Sequence, residues 1–310
     1  MRPVHPEFGA LAGFLADPAV TDVFVNGAHD VWVDRGQGPQ RHSAPELDEP
    51  AVRALAVRLV AAGGRHLDEA SPCVDTRLHD GIRVHAVLPP ISTRGTLLSI
   101  RVPHAQPLTV DELDERGFFA VVPRAAVVAL VAARANLLIT GAAGSGKTTL
   151  LGALLGEAAP GERIVAIEDV AELRVRHPHF VSLEARQPNL EGAGGLGLAR
   201  LLREALRMRP DRLVLGECRG EEVRELLGAL NTGHDGGAGT LHANSLDDVP
   251  ARLEALGALA GLGATAVARQ AVSAIGAVLH VERREGRRLA QLGSFELDAR
   301  DRLTVRARAS

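Results

Sequence analysis

Eight consecutive residues, Gly141-Ala142-Ala143-Gly144-Ser145-Gly146-Lys147-Thr148, fit the pattern G-x-x-x-x-G-K-[ST]. The chemistry this offers is polyphosphate binding. Glycines let successive backbone N–H groups turn toward phosphate oxygens, and a helix opening at the lysine adds the partial positive charge of its N-terminus. Lys147 would reach the outer phosphates and the Thr148 hydroxyl would coordinate Mg2+, with Thr149 extending the binding set into the helix. Glycine supplies 33 of 310 residues, so chance produces this pattern in roughly one in a thousand chains of this composition. Lys147 is the only lysine; every other strong cation is arginine. A planar guanidinium cannot replace a slim ammonium stem everywhere, and this loop is such a place.

Phosphoryl chemistry also needs carboxylates to hold Mg2+ and orient water. In sheets of parallel strands these sit at carboxyl ends, beside the loop. Two apolar runs end in acids: Ile164-Val165-Ala166-Ile167 leads into Glu168-Asp169, and Leu213-Val214-Leu215-Gly216 into Glu217-Cys218-Arg219-Gly220. An exposed acid at a strand end is commonplace; the neighbouring phosphate loop makes these candidates. A second Gly-rich stretch holds Gly233-His234 and then Thr240-Leu241-His242-Ala243-Asn244. His242 follows a third strand and is placed to contact or sense a γ-phosphate. Further ligands for zinc are missing nearby. Arg83, Arg94 and Arg101 are expected to cluster where a first domain meets its linker, although an exposed surface position is the ordinary reading of any one arginine.

The elements that must position these residues can be read from periodicity. Over 1–102 the pattern is mixed α/β. Val23–Val25 and Val31–Val33 flank the hairpin signal Asn26-Gly27-Ala28-His29-Asp30. A helix spans Pro50 to Ala62 and ends at Gly63-Gly64, and strands follow at Ile82–Leu88 and Leu97–Val102. Residues 103–122 read as a linker with one short helix, opened by the capping box Thr109-Val110-Asp111-Glu112. From Pro123 helices and strands alternate: helix 124–134, strand Asn136–Thr140, helix 147–156, strands Arg163–Ile167 and Phe180–Leu183, helix 196–208, strand Arg212–Leu215, helix 220–230, strand Gly239–Leu241, helices near 248–258 and 264–275, and a hairpin of Val278–Val281 and Leu289–Leu297. That alternation predicts a parallel sheet wrapped by helices over 123–310.

Composition narrows the classes. The chain is 46% hydrophobic and 24% charged, with net charge −3, ordinary for a globular protein with a large core. Two cysteines, Cys73 and Cys218, exclude a disulfide framework and a four-cysteine zinc site. The opening MRPVHPEFGA lacks the apolar segment of a secretory signal. The longest apolar run, Ala125–Ala133, is bounded by arginines and falls far short of the ~20 residues a membrane span needs. The expectation is a soluble, cytoplasmic chain.

Taken in order, GAAGSGKTT, AIEDVAEL, RMRPDRLVLGECRG and NTGHDGGAGTLHANS resemble the secretion ATPases of type II and type IV systems. The likeness is closest to the tight-adherence (TadA/CpaF-like) branch. VTDVFVNGAHDVWVDRG, LDEASPCVDTRLHDGIRVHAVLPPIS and GTLLSIRV extend it through the first domain. The resemblance implies an α/β fold: a RecA-like P-loop NTPase domain preceded by a smaller mixed α/β domain. It implies that Gly141–Thr148 is the Walker A loop, that Glu168 and Asp169 form the acidic box with Glu168 activating water, and that Glu217 is the Walker B acid. Gly233-His234 and His242 correspond to the family's His box. Arg83, Arg94 and Arg101 fall where the family places arginines that reach the nucleotide. The cofactors implied are ATP and Mg2+. The partners implied are further copies in a homohexamer and a polytopic inner-membrane platform protein, which would hold the ring peripherally at that membrane. Cys218 departs from the usual Val or Ile, the chain looks short at its start for the family, and the zinc module of some type II relatives is absent. Arg219 continues a Gly-Glu-x-Arg-Gly pattern.

The activity expected is hydrolysis of ATP to ADP and phosphate, driving pilus assembly or secretion. A nucleic-acid motor of related fold is the alternative. Net charge −3 and 3% aromatics leave it few stacking platforms, so nucleic acid is not expected as a partner. The basic pieces Arg283-Arg284, Arg287-Arg288 and Arg300 to Arg308 read as a solvated hairpin and tail. A GTPase switch would need an Asn-Lys-x-Asp, and the only lysine is already used; no acceptor lid marks a kinase.

Overall fold

The computed structural model describes residues 6–44, 47–78, 81–102, 107–186, 194–284 and 286–308. The chain divides into two units, 1–106 and 107–310.

The first unit is a six-stranded antiparallel sheet: β1 (Asp22–Asn26), β2 (Val31–Asp34), β3 (Pro39–His42), β4 (Cys73–Arg77), β5 (Arg83–Val87) and β6 (Leu97–Arg101). The spatial order is β3-β2-β1-β6-β5-β4. Strict alternation buries Val23, Val25, Val31, Val33, Val84, Ala86, Leu98 and Ile100 on one face. A 3-10 turn (Pro6–Leu11), a short α1 (Ala12–Ala16) and α2 (Glu49–Ala62) complete this core. Asp48 caps α2 by accepting from Ala51 N at 2.9 Å, and the helix buries Val52, Leu55, Ala56, Leu59 and Val60, each contributing about 1.5–3 kcal/mol for the larger side chains. Two strands carry no apolar signature of their own: β3 is a polar edge strand and β4 is half-exposed.

The second unit opens with α3 (Val110–Glu115), where both halves of the Thr109/Glu112 capping box form. Val110, Leu113, Phe118, Phe119 and Val122 join the same apolar cluster as the phosphate-loop helix. The described part of the segment expected as linker is therefore core of this unit. Then come α4 (Arg124–Ala132), β7 (Leu137–Gly141), α5 (Lys147–Gly156), β8 (Ile164–Glu168), β9 (Phe180–Glu184), α6 (Leu198–Leu206), β10 (Arg212–Cys218), α7 (Glu222–Leu230), β11 (Ala238–His242), α8 (Val249–Leu259), α9 (Ala264–Ala274), β12 (Ala277–Arg283), β13 (Arg287–Leu297) and β14 (Leu303–Ala307). The sheet order is β14-β13-β12-β7-β11-β10-β8-β9, parallel from β12 to β9 with β13 and β14 antiparallel at one edge.

Both faces of the parallel strands are covered, which is why they read as unbroken apolar runs. Leu138, Val165, Ile167, Leu213 and Leu215 face α6 to α9; Ile139, Ile164, Ala166 and Val214 face α3 to α5. The RecA-like second domain and the smaller mixed first domain are as expected. One correction concerns the end of the chain. Residues 303–307, expected within a solvated tail, form the edge strand β14 and bury Leu303, because Leu303 and Val305 alternate with outward polar residues. Among the described residues no single helix is long and apolar enough to cross a membrane.

Candidate functional site

The site is built at the carboxyl ends of β7, β8, β10 and β11. β7 ends at Gly141, where only glycine fits: a side chain there would collide with the Val281 carbonyl oxygen and stand 2.7 Å from Ser145 Oγ. Gly146 is left-handed, at φ 106°, and starts α5 without any side-chain cap. The first-turn N–H groups of α5 are thus left to whatever the loop receives.

Lys147 is 7% exposed. Its Nζ donates to Gly141 O and Ala142 O, both at 2.9 Å, and to His242 Nδ1 at 3.4 Å. Burial pushes its pKa down, and Glu217 opposes that shift. His242 reaches the loop because β11 pairs with β7 in a register that sets it beside Gly141. On its other side, His242 Nε2 lies 2.6 Å from Glu217 Oε1. An ammonium only donates, so Nδ1 accepts and the proton of the neutral ring sits on Nε2, in close contact with Glu217 but without a directed hydrogen bond to it. Burial, and then the Lys147 charge, lower the His242 pKa, with Glu217 again opposing.

Glu217 is aimed by a break in register. Leu215 pairs with Gly239 but Cys218 pairs with Leu241, so three residues of β10 span two of β11. Thr240 Oγ1 bonds Gly216 O at 2.5 Å within this bulge. Regular alternation would put Glu217 on the face of Leu213 and Leu215, but Cys218 takes that place in the apolar cluster. Arg219 holds the other carboxylate oxygen at 2.6 Å and also lies 3.8 Å from Asp169. The bond that Arg219 donates to Glu217 raises the Arg219 pKa above its ordinary value.

Glu168 is 5% exposed. Its Oε1 accepts from Glu172 N at 3.0 Å and Leu173 N at 2.9 Å, so it fixes the turn after β8. A side chain on Gly216 would come 2.5 Å from Glu168 Cγ; the glycine before Glu217 makes room for the other acid. Thr148 and Thr149 stand half-buried in the first turn of α5, Ala142, Ala143 and Gly144 are exposed on the loop, and Ser145 is buried.

Some expected residues are not brought together. His234 bonds Ala229 O at 3.2 Å in the connection entering β11, at the opposite end of that strand from His242. In the first unit, Arg83 and Arg101 are register partners on β5 and β6, beside Asp75 at 3.6 Å and Asp22 at 3.2 Å respectively. Arg94 is not their neighbour in the sheet. Its carbonyl lies against Gly27, next to the Asn26–Leu97 pair, at the other end of β6. The expected cluster of three is a pair and a distant third, because antiparallel strands put a connecting turn at the end opposite to their outer termini.

Two residues were missed. His280 interrupts the apolar run of β12, is 1% exposed, and places Nδ1 2.9 Å from Thr140 Oγ1 on β7. A bond to the Asn244 backbone ties it to the segment just beyond His242. A lone polar residue in an apolar strand was its only signal. Arg287 donates from Nε to Gly144 O at 3.1 Å, a contact from the far end of the chain that spacing does not reveal.

A family model described as Type II/IV secretion system protein matches residues 6–283. The chain belongs to the type II/IV secretion system protein family. A Mycobacterium tuberculosis protein, provisionally named a conjugal transfer protein, is 51% identical over 289 residues, covering 90% of this chain and 82% of its own. The solved VirB11 ATPase of the Brucella suis type IV secretion system, in complex with sulphate, is similar at 25% identity. It has TM-score 0.50 and covers 93% of this chain and 96% of its own. The pilus retraction motor PilT with bound ADP shares the fold, at 18% identity and TM-score 0.59, over 94% of this chain and 79% of its own. Membership of the type II/IV secretion family makes this chain a motor ATPase of the secretion, pilus and conjugal-transfer class.

Proposed function

We propose that the chain binds Mg2+-ATP at Gly141–Thr149 and hydrolyses it by in-line attack of water on the γ-phosphate, releasing ADP and phosphate. The observation that carries this is the convergence of Lys147, His242 and Glu217 at three strand ends. Lys147 would exchange its two loop carbonyls for phosphate oxygens. Glu168, held by its turn, would orient the water, and His242 would report the γ-phosphate through its close contact with Glu217. The Thr148 hydroxyl and the Glu217 carboxylate are oxygen donors that fit a hard divalent cation. Bound there, Mg2+ would spread the negative charge of the phosphates.

Arg83, Arg94 and Arg101 belong to this proposal as cations supplied to the nucleotide by the first unit. So do assembly as a homohexamer, a polytopic inner-membrane platform as partner, peripheral attachment to that membrane, and the tight-adherence branch. The test is Mg2+-ATP hydrolysis per subunit across a hundredfold range of protein concentration, with mass measured at each dilution. Specific activity that climbs with assembly supports a ring motor. Full activity in a monomer contradicts it.

A further inference from the structure

Four arginines crowd the turn between β12 and β13: Arg283, Arg284, Arg287 and Arg288. Among the described residues of the turn, Glu282 is engaged by Arg284 at 3.1 Å and by Arg288 at 3.5 Å. Arg287 lies along the phosphate loop. Its Nε donates to Gly144 O at 3.1 Å, and a Cβ on Gly146 would stand 3.3 Å from its Cδ. The stem therefore follows the last loop residues before Lys147.

Both strands of the hairpin are fastened here. The Val281 carbonyl crowds Gly141 at the start of the loop, and Leu289 N donates to Phe118 O at 2.8 Å. Arg287, two residues before Leu289, is exposed yet held by a tightly apposed scaffold. A loop whose N–H groups turn inward presents carbonyls outward, and Arg287 meets one of these. An arginine keeps its charge at any working pH, and a cation on the rim of an anion site adds Coulomb attraction that salt screens.

We propose that Arg287 is part of the polyphosphate-binding site, its charge adding to the pull of Lys147 and of the α5 N-terminus on nucleoside di- and triphosphates. This rests on the reading of Gly141–Thr148 as the nucleotide loop.

The test is ADP binding by titration calorimetry at low and high salt. It compares the intact chain with Arg287→Ala, Arg287→Gln, Arg287→Lys and Arg283→Ala. Loss of the charge is expected to weaken ADP about fivefold to tenfold at low salt, and less at high salt. Arg287→Gln should lose as much as Arg287→Ala, Arg287→Lys should keep most of the affinity, and Arg283→Ala should bind normally. Glutamine retains an N–H donor for Gly144, so full affinity in Arg287→Gln would assign Arg287 to loop architecture alone and overturn the proposal. An equal loss in Arg283→Ala would do the same by making the effect a diffuse property of the hairpin. Failure of the unmutated chain to bind ADP would instead remove the nucleotide reading beneath it.

Discussion

His242 Nε2 and Glu217 Oε1 lie 2.6 Å apart across the ends of two adjacent parallel strands. The opposite ring nitrogen receives the only lysine of the chain. One neutral imidazole therefore lies between the loop cation and the second acid, and the bond from Lys147 sets its tautomer, with the proton on Nε2.

That link sets a pH dependence. Burial and the Lys147 charge lower the His242 pKa below its ordinary 6.5. The neutral ring persists above pH 6.5 and is lost as pH falls through the depressed value, where Nδ1 becomes a donor facing an ammonium. We expect kcat to be flat above pH 6.5 and to fall on the acid side below it. A His242→Gln variant should have lower activity without that acid limb. A pH–rate profile whose midpoint lies above 6.5, or whose acid limb survives in the variant, contradicts the assignment.

Glu217→Gln keeps the shape of the side chain and removes its charge. Nucleotide should still bind, while single-turnover hydrolysis slows by about 10²–10³-fold. Nucleotide recovered from the protein after incubation should be ATP. Recovery of ADP at the normal rate would leave Glu217 without a catalytic role.

Gly216→Ala tests Glu168 without substituting it. The new methyl would stand 2.5 Å from Glu168 Cγ and must displace it. The cost in stability is about 1–3 kcal/mol, and kcat should drop while ADP affinity changes little. Normal kcat in a folded variant would detach the position of Glu168 from catalysis.

Arg212 opens the strand that carries Glu217 and is 4% exposed. Its guanidinium bonds Glu162 at 2.8 Å, Val131 O at 3.0 Å and Gly236 O at 3.3 Å. Arg212→Ala removes the Arg212 bond from Glu162, a half-buried carboxylate that Arg134 and Ala159 N still hold, and takes a donor from two carbonyls, so urea unfolding should show a loss of about 1–3 kcal/mol. A loss below 1 kcal/mol would mean that water replaces the guanidinium, which the buried setting disfavours.

Elements with strong local chemistry were legible in the sequence. The Thr109/Glu112 box opens a helix, the apolar runs of β7 and β8 are buried on both faces, and the loop lies between strand and helix as its glycines require. Strands β3, β4 and β14 were not read, because edge and half-exposed strands draw their order from a neighbour's backbone and not from an apolar pattern. Within the site, the acids and His242 could be named from strand ends. Their geometry could not: the β10 bulge re-aims Glu217, and Glu168 is tied into its own turn. Proximity in sequence suggested that Arg94 would join Arg83 and Arg101, and strand direction separates them. His280 and Arg287 reach the site from beyond residue 275, through sheet order that only the fold reveals.

The most direct test of the central claim is phosphate release from Mg2+-ATP by the unmutated chain and by Lys147→Ala, with thermal unfolding of both. Steady release is expected from the first and release at the buffer rate from the second, with cooperative unfolding of both proteins. Undiminished hydrolysis by a folded Lys147→Ala protein would contradict it.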